Sequence, residues 1–185
     1  PVEPEEPVVT PEAKPEITLE PIPEEFVATG NVLGAADNTT PWWSVFTNTV
    51  KVEEGTAARV YFQNYGGAAA YNNFAVILQN AADGAETVTE YAVVRADNYG
   101  WLYAQNTVDH RDALGWTLES NWNWDTFVAE MKDATVVLDI VNYGKTADVL
   151  ATITTATGEA RYQKYLDIAV DGDLYYRLCV DGAHI

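Results

Sequence analysis

Cysteine, methionine and histidine are nearly missing from this 185-residue chain: one Cys (Cys179), one Met (Met131) and two His (His110 and His184). A single thiol excludes an internal disulfide and a cysteine-built zinc site. Two histidines leave little for a histidine metal cluster or a histidine-dependent catalytic triad. Positive charge is scarce as well: ten Lys and Arg stand against 28 Asp and Glu, for a net of -18. A field of that sign repels phosphate backbones and acidic membranes, so nucleic acid and membrane surfaces are excluded as partners. It opposes acidic polysaccharides for the same reason, and it favours a monomer. No apolar run approaches the length needed to span a bilayer. No charged-then-apolar leader is visible, and the expectation is a piece of a larger, multimodular protein.

Proline is absent after Pro41, and seven of the eight prolines lie within the first 23 residues. Eight glutamates are interleaved with them, against the single base Lys14. Such a stretch has no apolar period and cannot bury a core, so residues 1–25 read as a stiff Pro/Glu-rich linker. Its short apolar pieces, Val8-Val9 and Ile17-Thr18-Leu19, could pair along a sheet edge. Residues 26–185 form the expected domain. They keep 20 acids and nine bases, a net of -11, so the domain is acidic in its own right.

That domain reads as short strands divided by turns: Arg59–Gln63, Phe74–Leu78, Glu90–Arg95, Thr135–Val141, Val149–Thr155, Arg161–Val170 and Leu174–Val180. β-Branched and aromatic residues fill the runs, and Asn, Asp and Gly punctuate them. The expectation is an all-β fold, a jelly-roll-like β-sandwich. Val149, Ala151 and Ile153 should share one face. Tyr176, Leu178 and Val180 should oppose Tyr175, Arg177 and Cys179. Cys179 is expected near the core as a small apolar filler without chemistry. One segment, Asp125–Lys132, has helical spacing at Phe127, Val128 and Met131, with Asp125 placed to cap it. The triplet Asn-Tyr-Gly recurs at 64–66, 98–100 and 142–144 without a longer period, which reads as a repeated turn solution.

Six Trp and eleven Tyr exceed what a two-layer core of this size can absorb. On a strand, adjacent Trp42 and Trp43 would point to opposite faces. Trp122 and Trp124 alternate with Asn121 and Asn123, and Tyr99, Trp101 and Tyr103 share one side if extended. Flat rings beside amides and charged groups suit a neutral sugar. The CH face of a pyranose stacks on an indole or phenol, and its hydroxyl rim needs donors and acceptors together. Candidate stacking residues are Trp101, Tyr99, Trp124 and Trp122, with Trp42 or Trp43 in addition. Candidate hydroxyl partners are Arg95, Asp97, Asn73 and Gln105. Stacking one sugar face removes roughly 40 Å² of apolar surface, worth on the order of 1 kcal/mol. Two or three such contacts predict a Kd from about mM to tens of μM.

Several stretches together carry a resemblance. They are Asp37-Asn38-Thr39-Thr40-Pro41-Trp42-Trp43-Ser44, Tyr71-Asn72-Asn73-Phe74, Glu90 to Trp101, Trp124-Asp125-Thr126-Phe127 and the closing Val180 to Ile185. In order and spacing the chain resembles β-sandwich carbohydrate-binding modules attached to the polysaccharide-degrading systems of gut and rumen bacteria. The resemblance implies a non-catalytic module for neutral plant or storage glycans, extracellular or at the cell surface, tethering an attached enzyme or surface protein to its substrate. It implies no catalytic cofactor, and it allows one structural Ca²⁺ near the chain ends, for which Asp37 and Asp181 are the candidates.

Three other readings stand beside this one. A starch-type glycan presents the same CH faces as β-linked plant polysaccharides. A structural or adhesion sandwich would use the aromatics as core or against a protein partner. A hydrolase would need a buried carboxylate of raised pKa facing the aromatic cleft.

Overall fold

Strands that alternate apolar and polar residues are stable only when their apolar faces meet a second layer. The computed structural model describes residues 13–69, 71–95 and 124–185. In it that requirement is met by two four-stranded antiparallel sheets. In chain order the elements are β1 (Val50–Val52), β2 (Thr56–Asn64), β3 (Gly66–Gly67), β4 (Phe74–Gln79), β5 (Glu90–Arg95), α1 (Trp124–Met131), β6 (Ala134–Asn142), β7 (Thr146–Thr154), β8 (Ala160–Ala169), β9 (Leu174–Val180) and β10 (Ala183–His184). One sheet has the order β1-β9-β4-β5, the other β2-β6-β7-β8, and β3 pairs with β10 in a small ribbon. The fold is all-β and sandwich-like, with one short helix.

The core lies between the sheets. Phe74, Val76 and Leu78 of β4 and Tyr176, Leu178 and Val180 of β9 share one buried cluster with Val136, Leu138 and Ile140 of β6 and Val149, Ala151 and Ile153 of β7. The alternation expected for β7 and β9 is therefore observed. Phe62 and Phe74 meet edge to face across the layers, with ring centroids 4.9 Å apart. The helix begins one residue earlier than expected. Asp125 thus lies inside its first turn rather than at the cap, where its charge still favours the positive end of the helix dipole. Val128 and Met131 pack on the core.

Two of the Asn-Tyr-Gly triplets do the same work at the ends of two strands. Asn64 Oδ1 accepts from the Gly66 amide at 2.9 Å, and Asn142 Oδ1 from the Gly144 amide at 2.8 Å. Each glycine has a positive φ (66° and 92°) that closes the turn. Each asparagine then uses its NH₂ to reach the other sheet: Asn64 donates to Asn73 Oδ1 and Asn142 to the Val52 carbonyl, both at 2.8 Å. The third triplet, 98–100, lies outside the described residues.

The expected spacer, 1–25, does not stay clear of the domain. From Lys14 onward it crosses the outer face of the β2-β6-β7-β8 sheet, and it forms no strand at a sheet edge. Lys14 Nζ bridges Asp148 at 2.8 Å and Asp167 at 2.6 Å. Arg59 grips Asp139 with two hydrogen bonds (2.7 and 3.1 Å) and also donates to the Pro21 carbonyl. Leu19 and Ile22 border a cleft of about 290 Å³ with Leu150 and Thr152, and Phe26 lies 4.5 Å from the Tyr61 ring. The reason is in the sheet. Val137 and Val141 face away from the core yet are buried, so this face is too apolar to stand in water.

Two outcomes are expected from these contacts. Asn142→Ala leaves the buried Val52 carbonyl and the Gly144 amide unpaired. It should cost about 2 kcal/mol, read as a lowered urea midpoint at unchanged slope. A chain starting at Phe26 should also lose about 2 kcal/mol through the uncovered apolar face. Equal midpoints for the short and full chains would show that the strap adds nothing to stability.

Candidate functional site

Three of the sequence-derived candidates, Trp42, Trp43 and Arg95, lie on the face of the β1-β9-β4-β5 sheet that points away from the core. Strand register sets its rows: Arg95 of β5 lies opposite Ala75 of β4, which lies opposite Cys179 of β9, which bridges Phe46. The next row is Val93, Ile77 and Arg177. Ala75, Ile77 and Cys179 form a small buried cluster covered by Trp42, Phe46 and Val93. Cys179 is thus a filler as expected, in this second cluster rather than in the main core. Burial pushes its thiol up to about 12.

The aromatic cover is built by residues 40–47. Trp43 has φ 61°, a left-handed conformation costly for a bulky residue, on the order of 1–3 kcal/mol. Two hydrogen bonds brace the turn, and the Asp181 carboxylate lies beside Trp42. Gly182 N donates to Thr40 O and Ser44 Oγ donates to Pro41 O, and the amide and indole of Trp42 favour the charged form of the neighbouring Asp181. The result separates the two indoles. Trp42 is half-buried on the sheet, and Trp43 turns outward with 49% of its surface exposed. The split expected of the pair is observed, though a turn rather than strand alternation produces it. The Trp42 and Trp43 ring centroids are 5.7 Å apart and those of Trp43 and Phe46 6.4 Å, each pair tilted by 31°.

Two arginines stack beneath this strip. The Arg95 guanidinium lies 4.8 Å from the Trp42 ring and that of Arg177 lies 4.1 Å from Phe46. Arg177 also pairs with Asp83 at 2.9 Å. Burial raises the Asp181 carboxyl above its ordinary value, while the Trp42 amide, the Arg95 guanidinium and the Asn72 amide pull it back down. Gln79 is fully buried on the same face and donates to Ala81 O and Asp83, with its Oε1 left unpaired. The Arg177 Nε is likewise buried and unpaired. These groups form a patch of indole faces, guanidinium donors and carboxylate acceptors whose opposite charges are matched.

Several expected positions resolve differently. Asn73 is 2% exposed, and its Oδ1 accepts from Asn64 and from the Phe74 amide, so it holds the fold together and does not meet a ligand. Its neighbour Asn72 packs between Gly67 and Gly182, where a Cβ on either glycine would collide with it. Of the two Ca²⁺ candidates, Asp37 accepts from the amide and hydroxyl of Thr39 and Asp181 lies beside Trp42, Arg95 and Asn72. Among the described residues no three His, Cys, Asp or Glu side chains converge. Asp97, Tyr99, Trp101, Gln105 and Trp122 lie outside the described residues. Trp124 opens α1, and its side chain is outside them too. Sequence reasoning missed Phe46, Arg177, Gln79 and Asp83. The alternation Tyr175-Arg177-Cys179 was the signal for Arg177, since it placed a cation on the face opposite the core.

A scan against protein-family models gives no match, and searches of curated proteins and of solved structures give none either.

The buried thiol makes a direct prediction. Cys179 should resist thiol reagents at pH 8 in the folded protein and react at once in urea. Because its folded pKa is raised, the unfolded chain loses the proton first. Stability should therefore fall between about pH 9 and 12, by at most ~1.4 kcal/mol per pH unit. Comparing Cys179→Ala with the native protein isolates this slope from those of the tyrosines and lysines.

Proposed function

We propose that this chain is a non-catalytic module that binds a neutral polysaccharide on the outer face of the β1-β9-β4-β5 sheet. The observation that carries the reading is Trp43. A large apolar ring is held half in solvent by a strained backbone, and the Gly182–Thr40 and Ser44–Pro41 hydrogen bonds brace that turn. Backbone strain of this kind collects at binding sites. Trp43 with Phe46 offers stacking surface for CH-rich sugar faces, and the Arg177–Asp83 pair and the Arg95–Asp181 neighbourhood supply donors and acceptors for hydroxyls. The matched charges favour a neutral ligand over an acidic one.

Asp181 is a carboxyl of raised pKa beside the aromatic strip, the feature a hydrolase would need. The neighbouring Trp42, Arg95 and Asn72 groups favour its ionised form, so in this reading it braces the turn and does not deliver a proton. The ligand class we propose is a β-linked plant cell-wall glycan, with a starch-type chain as the alternative. The setting is extracellular or at the cell surface, within a larger multimodular protein. Needs for a cofactor, a membrane or a nucleic acid form no part of this reading.

Native gels cast with soluble β-glucan, xyloglucan, glucomannan, xylan, starch or pectin test it. Retardation is expected in one or two neutral gels, with a Kd from about mM to tens of μM. Pectin should not retard, and no reducing ends should be released. Trp43→Ala should abolish retardation without moving the urea midpoint downward, since it removes an exposed ring from a strained turn. Trp101→Ala and Trp124→Ala test the two rings chosen from sequence alone. Uniform migration in every gel would sink the reading and leave a protein partner for this face.

A further inference from the structure

The sandwich is open along one side, where β1 and β9 of one sheet approach β2 of the other. A groove of about 720 Å³ runs there, roofed by residues 27–33. That volume is within the roughly 300–1,000 Å³ of sites that enclose a small ligand. Its walls carry Tyr61, Phe62 and Phe46, and the amides and hydroxyls of Asn31, Asn48 and Thr29. In a chain with 28 acids, no Asp or Glu lines it among the described residues. Among the described residues the one charged group lining it is Arg59, whose guanidinium is held by Asp139 and the Pro21 carbonyl. Aromatic faces, uncharged donors and acceptors, and no net charge are again the requirements of a neutral sugar. The rim is apolar too: Val27 and Val32 are 83% and 67% exposed.

Phe46 belongs to both places. One neighbour is the Trp43 ring, 6.4 Å away on the strip, and the same residue is among those that border the groove at the sheet edge. We infer that the strip and the groove are one continuous site, in which a neutral glycan chain lies on Trp43, passes Phe46 and enters the groove between the sheets. The module would then bind the interior of a long chain and gain affinity with chain length. This rests on the proposed glycan binding at the Trp43 face.

The test uses the full chain with cellohexaose, xylohexaose, mannohexaose and maltohexaose, each against its disaccharide, in calorimetric and NMR titrations. For the sugar that binds, the hexasaccharide should bind at least ~10-fold tighter than the disaccharide. It alone should shift the amides of Asn31 and Asn48. Asn48→Arg, which blocks the groove from an exposed position, should shrink the ratio to about twofold. Tyr61→Ala should do the same, with urea midpoints used to set aside any loss of its Phe26 contact. Trp43→Ala should weaken both lengths. Trp43-dependent binding with no length preference, or one untouched by Asn48→Arg, overturns the continuous site and leaves the Trp43 face standing. No binding by any of the eight sugars removes both.

Discussion

Two buried asparagine side chains set how the sheets lie on each other. Asn64 and Asn142 stand at equivalent ends of β2 and β6, and each satisfies a turn amide with its oxygen and a group on the opposite sheet with its nitrogen. Aspartate could keep the first bond but has no proton for the second, and glutamine adds a methylene that the buried turn would have to accommodate. The buried polar groups they join would each cost 1–3 kcal/mol, in round terms, if left alone. Fixing the sheets in this way also fixes where β4 starts, because Asn64 bonds to Asn73 beside Phe74. It thereby sets the row in which Ala75, Cys179 and Arg95 meet. The aromatic strip is built on that row.

The distribution of charge follows the same logic. Arg59, Arg177 and Lys14 are each neutralised by a carboxylate on a neighbouring element, at distances of 2.6–2.9 Å. The Arg59–Asp139 pair is a cross-strand partner set and is nearly enclosed, so it is a condition for the strap to lie where it does. The acids in excess are left to open surface, where water screens them. A chain of net -18 can therefore present patches with no excess of either sign, and the strip that carries the exposed Trp43 ring is one of them.

Much of this was legible in the sequence because it depends on local rules. Period-two alternation placed Val149, Ala151 and Ile153 inward and Arg177 outward, and the Asn-Tyr-Gly spacing marked two turns. What escaped depends on partners distant in the chain. Asn73 looked available because Asn beside aromatics suits hydroxyls. Only its pairing with Asn64 and the adjacent Phe74 amide shows that it is occupied. The Pro/Glu stretch looked like a spacer because composition describes its own burial capacity, whereas its docking is decided by the apolar outer face of β6 and β7. Phe46 carried no pattern at all: its role comes from bridging Cys179, a residue far along the chain.

The turn at Trp43 is the physical ground for placing the proposed site on this face. A Trp with positive φ would relax to an ordinary backbone if the chain on either side were free. It is not free on the carboxyl-terminal side, where Phe46 bridges Cys179 and the Thr47 hydroxyl accepts from the Leu178 amide. It is not free on the amino-terminal side, where Thr40 and Trp42 are tied to Gly182 and Asp181. Both anchors belong to β9 and the turn that follows it. One strand at the centre of the sheet thus forces the turn outward, supplies Arg177 beneath Phe46 and places Asp181 beneath Trp42. Pre-organisation of this kind lowers the ordering cost of binding. For a ligand whose individual stacking contacts are worth only about 1 kcal/mol each, that saving decides whether binding is measurable at all.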